Sequence, residues 1–261
     1  MNTALLIDLE TTGVDTATCE VVQCAALAVS IVDDWRELSF MDWLARPLGA
    51  IPREASDVHG ITAERVAECA PFAEVARDVH AHIVRVDPEL IITFNGDAFD
   101  LPVLARYGID LRQVPHLDVF RVWQVARECK IPPPTLGAPH ANRYTGALGS
   151  AYAWLGASEP CSGREHDAGE DCRMTAAVAR ALSDWAGLPQ CLAWSSGPLP
   201  GYADYAGKIR VCDGVPRFGA WGKHAGRPLA EVARSDRGYL LWLLRGDFHH
   251  STKTVVAAAL G

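Results

Sequence analysis

Near the start of the chain, four apolar residues, Ala4-Leu5-Leu6-Ile7, run into Asp8-Leu9-Glu10-Thr11-Thr12-Gly13. An unbroken apolar run followed by acids at i and i+2 reads as a buried strand that points two carboxylates to one face. Glu20 to Val32 is rich in Val, Ala, Cys and Ile, and Leu38 to Leu44 mixes Phe, Met and Trp. Both read as strands, and with the first they predict an antiparallel meander. Thr62 to Val86 carries helical spacing, with Thr62 as a cap and Pro71 placed as the first residue of a second helix. Glu89 to Phe94 is a short apolar run closed by Asn95-Gly96, which predicts a buried strand and a turn.

A helix from Asp97 to Tyr107 follows, then a brief strand near Leu117 and a helix from Val119 to Cys129. Lys130 to Asn142 contains four prolines and reads as a loop, and helices are predicted near Gly146–Leu155 and Asp167–Trp185. Strands first, then strands alternating with helices, indicate a mixed α/β sheet with helices packed over it. Ser195-Ser196-Gly197-Pro198-Leu199-Pro200-Gly201 has the composition of a linker, which places a domain boundary near residue 200. No internal repeat is visible.

Composition narrows the class. At 261 residues and 49% hydrophobic, the chain can bury a substantial core. A mean hydropathy of +0.04 and the absence of any run near the ~18 apolar residues of a membrane span point to a soluble, non-membrane protein. The N-terminus has no basic region and meets an acid at Asp8, so no secretory signal is expected. Eight cysteines without a Cys-x-x-Cys pair suggest reduced thiols in a cytoplasmic protein. Cys161, His166 and Cys172 have a spacing that matches no common zinc pattern.

The formal charge of −8 is unevenly spread. Residues 208–261 hold nine Lys/Arg against four acids, a net of +5, which leaves −13 on the first 207 residues. That asymmetry reads as an acidic body with a basic tail module.

The acidic pair raises a chemical problem. Neighbouring like charges on a sheet face repel, and a buried ionised carboxylate costs several kcal/mol unless it is paired or bound to metal. A divalent cation resolves the conflict. Asn95-Gly96-Asp97-Ala98-Phe99-Asp100 follows a strand; there Asp97 can cap the next helix, which leaves Asp100 in its first turn. His166-Asp167-Ala168-Gly169-Glu170-Asp171 stands at another helix start, and Val58-His59-Gly60-Ile61-Thr62 reads as a turn in which His59 has a helix-start role.

Together these segments resemble the DEDDh group of 3′–5′ exonucleases, the family of the polymerase proofreading exonuclease. The resemblance rests on Asp8 to Gly13, the Asn95-to-Asp100 block and His166-x-Ala168-x-x-Asp171, in that order, and on Val58 to Thr62. It covers about residues 3 to 185. It implies a ribonuclease H-like fold in which Asp8, Glu10, Asp100 and Asp171 surround two Mg²⁺ or Mn²⁺ ions and His166 is the general base. Phosphodiester hydrolysis needs a nucleophilic hydroxide and stabilisation of the leaving 3′-oxygen. Two hard cations about 3.5–4 Å apart with oxygen ligands can supply both, and imidazole can take a proton near neutral pH.

By the same resemblance Leu9, Glu10 and Thr11 border the terminal nucleotide, and Asn95 and Phe99 help form its pocket. Asp118 lies in the family's intermediate segment without being a catalytic acid. Phe218 to Leu229 and Ser235 to Leu244 look like the small C-terminal module of exonuclease X-like proteins. Its Gly-Lys-His-x-Gly-x-Pro turn suggests a hairpin, Tyr239 and Trp242 are spaced to pack a core, and Lys223, His224 and Arg227 are candidate phosphate contacts.

The expected organisation is therefore a ribonuclease H-like exonuclease domain over 1–190, a linker over 191–210 and a small α+β module over 211–261. The leading reading is a metal-dependent exodeoxyribonuclease acting on DNA 3′ ends, the tail resemblance tilting the choice to DNA. An exoribonuclease and a nucleic-acid-binding module without catalysis are the rivals.

Overall fold

Three strands, β1 (Thr3–Thr11), β2 (Val21–Ser30) and β3 (Arg36–Leu44), form the antiparallel meander expected from their apolar runs. The computed structural model describes residues 1–134, 139–156, 166–246 and 248–261. Helices α1 (Arg53–His59), α2 (Ala63–Val66) and α3 (Phe72–Val86) then lead to β4 (Leu90–Thr93), α4 (Asp100–Arg106), β5 (His116–Asp118) and α5 (Val119–Glu128). A 3-10 turn at Ala141–Arg143, α6 (Leu148–Trp154), α7 (Ala168–Ala186) and α8 (Leu188–Ser196) follow. Both β4 and β5 add in parallel, giving a five-stranded mixed sheet of order β3-β2-β1-β4-β5 with helices on both faces.

Period-2 alternation along β1 decides where the acids go. Leu5, Ile7 and Leu9 pack against α3 and α4 in one core, while Ala4 and Leu6 join the opposite core under α5 and α7. Asp8 and Glu10 continue the second register, so both acids face the α7 side. On β2 and β3 the same face carries Ala25 and Leu27, with Phe40 packed beside them. A register shift between Glu10 and Thr11 ends the regular pairing with β2 just past the second acid.

Several boundaries differ from the sequence expectation. Seven residues over 53–59 form α1, so His59 ends a helix rather than starting one, and it is buried. Thr62 does cap α2, and Pro71 immediately precedes α3. Instead of beginning near Asp97, α4 begins at Asp100, because Asn95–Phe99 is held as a turn by Asp118. Across 191–196 the expected linker is instead α8, with Pro189 in its first turn, where proline is tolerated. Residues 135–138, within the proline-rich loop, and Cys161 lie outside the described residues.

The chain divides into two compact units, Met1–Ser195 and Ser196–Gly261. The second contains the hairpin β6 (Ile209–Cys212) and β7 (Val215–Phe218), then α9 (Leu229–Ser235), α10 (Arg237–Arg245) and α11 (His250–Leu260). Its core is Ile209, Phe218, Leu229, Val232, Leu240, Leu243 and Val256. The hairpin turns at Asp213-Gly214, upstream of the Gly-Lys-His segment to which it was ascribed. Tyr239 packs against this core, whereas Trp242 is 55% exposed.

Candidate active site

Three elements bring four acids to one place. β1 supplies Asp8 and Glu10, the start of α4 supplies Asp100, and the first turn of α7 supplies Asp171. The Leu9 N–H donates to Asp100 Oδ1 at 3.0 Å, which fastens α4 to β1 between the two strand acids. Asp100 is only 4% exposed. Ligand atoms of Glu10, His166 and Asp171 lie within 4.8 Å of one another.

Asp118 builds the turn that delivers Asp100. Its Oδ1 accepts from Asn95 N at 2.8 Å and Phe120 N at 3.1 Å, and its Oδ2 accepts from Asp97 N at 3.4 Å. The Asp118 N–H in turn donates to Ser195 Oγ at 2.7 Å. Asn95 takes a left-handed backbone, φ 67°, that Asn tolerates better than most residues. At Gly96 an added Cβ would stand 2.4–2.7 Å from the Thr93 side chain, so the turn has room only for glycine.

Electrostatics single out the same place. Burial pushes the Asp8 carboxyl well above the usual carboxylate range, and Asp100, Asp171 and Glu10 push it further. Glu10 rises to about 9, by burial first and then by Asp171 and Asp100. Burial also lifts Asp100 to about 7, against the N–H groups of its own residue and Leu9, and lifts Asp118 to about 6. The neighbouring charges acting on Asp8 and Glu10 are all acidic. Four carboxylates that face one another with acidic neighbours fit a divalent cation held by oxygen ligands.

Beside the acids lies a cleft of about 450 Å³, lined by Leu9, Glu10, Thr11, Thr12, Gly13, Val14, Pro52, Glu54, Ala55, Val58, His59 and Phe99. Leu9, Thr11 and Phe99 thus line one pocket, while Asn95 is exposed and is not among its walls. His59, read from sequence as a helix-start residue, is part of the wall. Its Nδ1 accepts from Ile61 N at 3.0 Å, leaving the proton on Nε2, and burial holds its pKa below the usual imidazole value.

Gln23 and Asp42 carry no signal in the sequence, yet both stand at the α7 end of this face. Gln23 is fully buried and hydrogen-bonded to Asp42, Asp167 and the Ala168 N–H. In the second unit, all three candidate phosphate contacts are already engaged. Lys223 Nζ lies 2.7 Å from Asp236 and Arg227 pairs with Glu231, while His224 is buried against Asp236 at 2.9 Å.

Comparisons with known proteins agree with the fold. The exonuclease family model RNase_T matches residues 5–179. Among solved structures, exonuclease X in complex with 5′-overhanging duplex DNA is 21% identical, covering 74% of this chain and 99% of that one, with a TM-score of 0.53. A zinc-bound form of the E. coli exonuclease I–single-stranded DNA complex is 20% identical, covering 74% of this chain and 42% of that one, with a TM-score of 0.58. Exonuclease I from Methylocaldum szegediense is 21% identical over 74% of this chain and 42% of that one, with a TM-score of 0.56. The matched region spans less than half of those exonuclease I chains. No curated protein matches the chain. With its ribonuclease H-like sheet and a family match over most of its length, the chain belongs to the divalent-metal-dependent DEDDh, DnaQ-like family of 3′–5′ exonucleases.

Proposed function

We propose that this chain removes nucleoside 5′-monophosphates from DNA 3′ ends, with Asp8, Glu10, Asp100 and Asp171 holding two Mg²⁺ or Mn²⁺ ions. The observation that carries this reading is the convergence of four mutually repelling acids, Glu10 and Asp100 buried and Asp8 and Asp171 half-buried, with His166 beside Glu10 and Asp171. Bound there, the ions would supply the positive charge that acidifies water and stabilises the leaving 3′-oxygen.

The protein's own groups do the rest. His166 takes the proton of the attacking water, a task suited to imidazole near neutral pH. It is exposed, has a φ of 62°, and places a ring nitrogen within 4.8 Å of carboxylate oxygens of Glu10 and Asp171. Leu9, Thr11 and Phe99 receive the terminal nucleoside in the cleft, Phe99 against the base and the polar rim against the sugar. Asp118 and Gly96 hold the turn that keeps Asp100 under Leu9.

DNA is favoured over RNA by the resemblance of the tail to the exonuclease X-like module, with residues 1–190 as the nuclease domain and 211–261 as that module. The described cysteines are free, which suits a reducing cytoplasm, and among the described residues no helix is long and apolar enough to cross a membrane. Matched 5′-labelled DNA and RNA oligonucleotides test the assignment. Stepwise shortening of DNA in Mg²⁺ supports it; faster digestion of RNA would make the chain an exoribonuclease.

A further inference from the structure

Gln23 is 0% exposed on β2, directly opposite Glu10 of β1. Its Nε2 lies 3.1 Å from each Asp42 oxygen and 3.3 Å from Asp167 Oδ2, and its Oε1 accepts from the Ala168 N–H at 3.3 Å. One primary amide thus donates to carboxylates on two elements and takes the first N–H of α7. No other side chain of this size offers two donors and an acceptor in that fork; glutamate lacks the donors, and methionine lacks them too and has only a weakly accepting sulfur.

The contact sits between the two α7-side members of the site. Asp167 follows His166, and its Oδ1 caps α7 by accepting from Gly169 N at 3.1 Å and Glu170 N at 3.4 Å. The Asp167 carbonyl accepts from Asp171 N at 2.9 Å. Asp167 therefore holds the helix start with one oxygen and is itself held by Gln23 with the other. Packing leaves little slack, since a Cβ on Gly169 would come within 2.7 Å of the Phe40 ring on β3.

We propose that Gln23 is a positioning residue that sets the α7 N-terminus over β1, and so fixes Asp171 and His166 against Glu10. This rests on the reading of those three residues as metal-binding and catalytic groups. A misplacement of about 1 Å in such a site can cost on the order of 100-fold in rate.

The test uses the full chain and two readouts, Mn²⁺ binding to the metal-free protein by calorimetry and steady-state digestion of a DNA oligonucleotide. Gln23→Met and Gln23→Glu should each weaken Mn²⁺ binding by about 10–100-fold, the range for groups that orient metal ligands. The loss in turnover should appear in kcat, with KM for the oligonucleotide little changed. Because Gln23→Met leaves buried acids without donors and can unfold the chain, Gln23→Glu is paired with Asp167→Asn. That pair restores an amide–carboxylate contact at position 167, while Glu in place of Gln23 still faces Asp42, and should recover part of the lost affinity.

Variants that bind Mn²⁺ and turn over like the parent overturn the assignment, as does a loss of affinity that only follows the folded fraction and is not recovered by Asp167→Asn. If the parent itself neither binds Mn²⁺ nor digests DNA, the functional reading falls together with it. A parent active in both, with unaffected Gln23 variants, removes Gln23 alone.

Discussion

The Leu9 N–H donates to Asp100 Oδ1 at 3.0 Å, so the acid at the start of α4 is tied to the backbone of β1 between Asp8 and Glu10. This one bond couples the local fold to the charge cluster, and two substitutions separate those roles. Asp100→Asn keeps an acceptor for Leu9 but removes the charge. It should leave the fold intact and lower digestion by at least about 100-fold, more than is typical for a group outside the ligand set. Asp100→Ala also strands the Leu9 N–H and should cost a further 1–3 kcal/mol or so of stability in urea unfolding. Equal stability of the two variants would show that the bond does not anchor α4.

The raised carboxyls give a pH signature to the metal-free protein. A group whose pKa rises on folding stabilises the fold fully below its unfolded value, about 4 for Asp and Glu. That stabilisation is lost as pH climbs through the folded values, about 7 for Asp100 and about 9 for Glu10. Below about 6.5, buried His59 and His82 and half-buried His116, whose pKa values are all depressed, begin to oppose folding instead. Melting in EDTA should therefore fall between about pH 7 and pH 9.5, and Mn²⁺ should largely abolish the fall. Glu10→Gln should flatten the EDTA curve; an unchanged slope would mean that Glu10 is not strained by its neighbours.

His166 should separate activity from stability. Its φ of 62° disfavours any side chain, by roughly 1–2 kcal/mol for an L-residue in that region. His166→Gly should thus melt no lower than the parent while losing about 10²–10⁴ in kcat, the usual contribution of a general base. Retained kcat in His166→Gly would move the proton-accepting role elsewhere.

Gly96→Ala probes the turn before α4. The new Cβ would meet Thr93 at 2.4–2.7 Å, so the turn must shift at its contact with Asp118. Overpacking of this kind costs about 1–3 kcal/mol, and the shift should lower kcat through Asp100. Wild-type melting and turnover would show the turn to be more compliant than its packing suggests.

Half of the charge cluster was legible from pattern alone, while Asp100, Asp171 and His166 passed locally for helix-start residues and were marked only by the family resemblance. Acids at Asp8 and Glu10 end an unbroken apolar run, and the strand's period-2 alternation places them on the α7 face. Gln23 was invisible for the opposite reason: an uncharged residue in an apolar run passes for strand core, and its partners Asp42 and Asp167 lie 19 and 144 positions away. The start of α4 differs because Asp118, 21 positions beyond Asp97, accepts from the Asn95 and Asp97 N–H groups and holds Asn95–Phe99 as a turn. Likewise α1 and α8 were missed, since seven and nine residues next to Pro and Gly look locally like loop and linker. His59 came with α1, and its place in the cleft wall follows from where that helix ends.

The most direct measurement is the digestion of a 5′-labelled DNA oligonucleotide by the parent and by Asp8→Ala, each in Mg²⁺ and in EDTA, with folding checked by circular dichroism. The parent should shorten the strand one nucleotide at a time in Mg²⁺ only, releasing nucleoside 5′-monophosphates, and folded Asp8→Ala should be inert. Digestion that survives EDTA, or that persists in Asp8→Ala, would contradict a metal site built on Asp8, Glu10, Asp100 and Asp171.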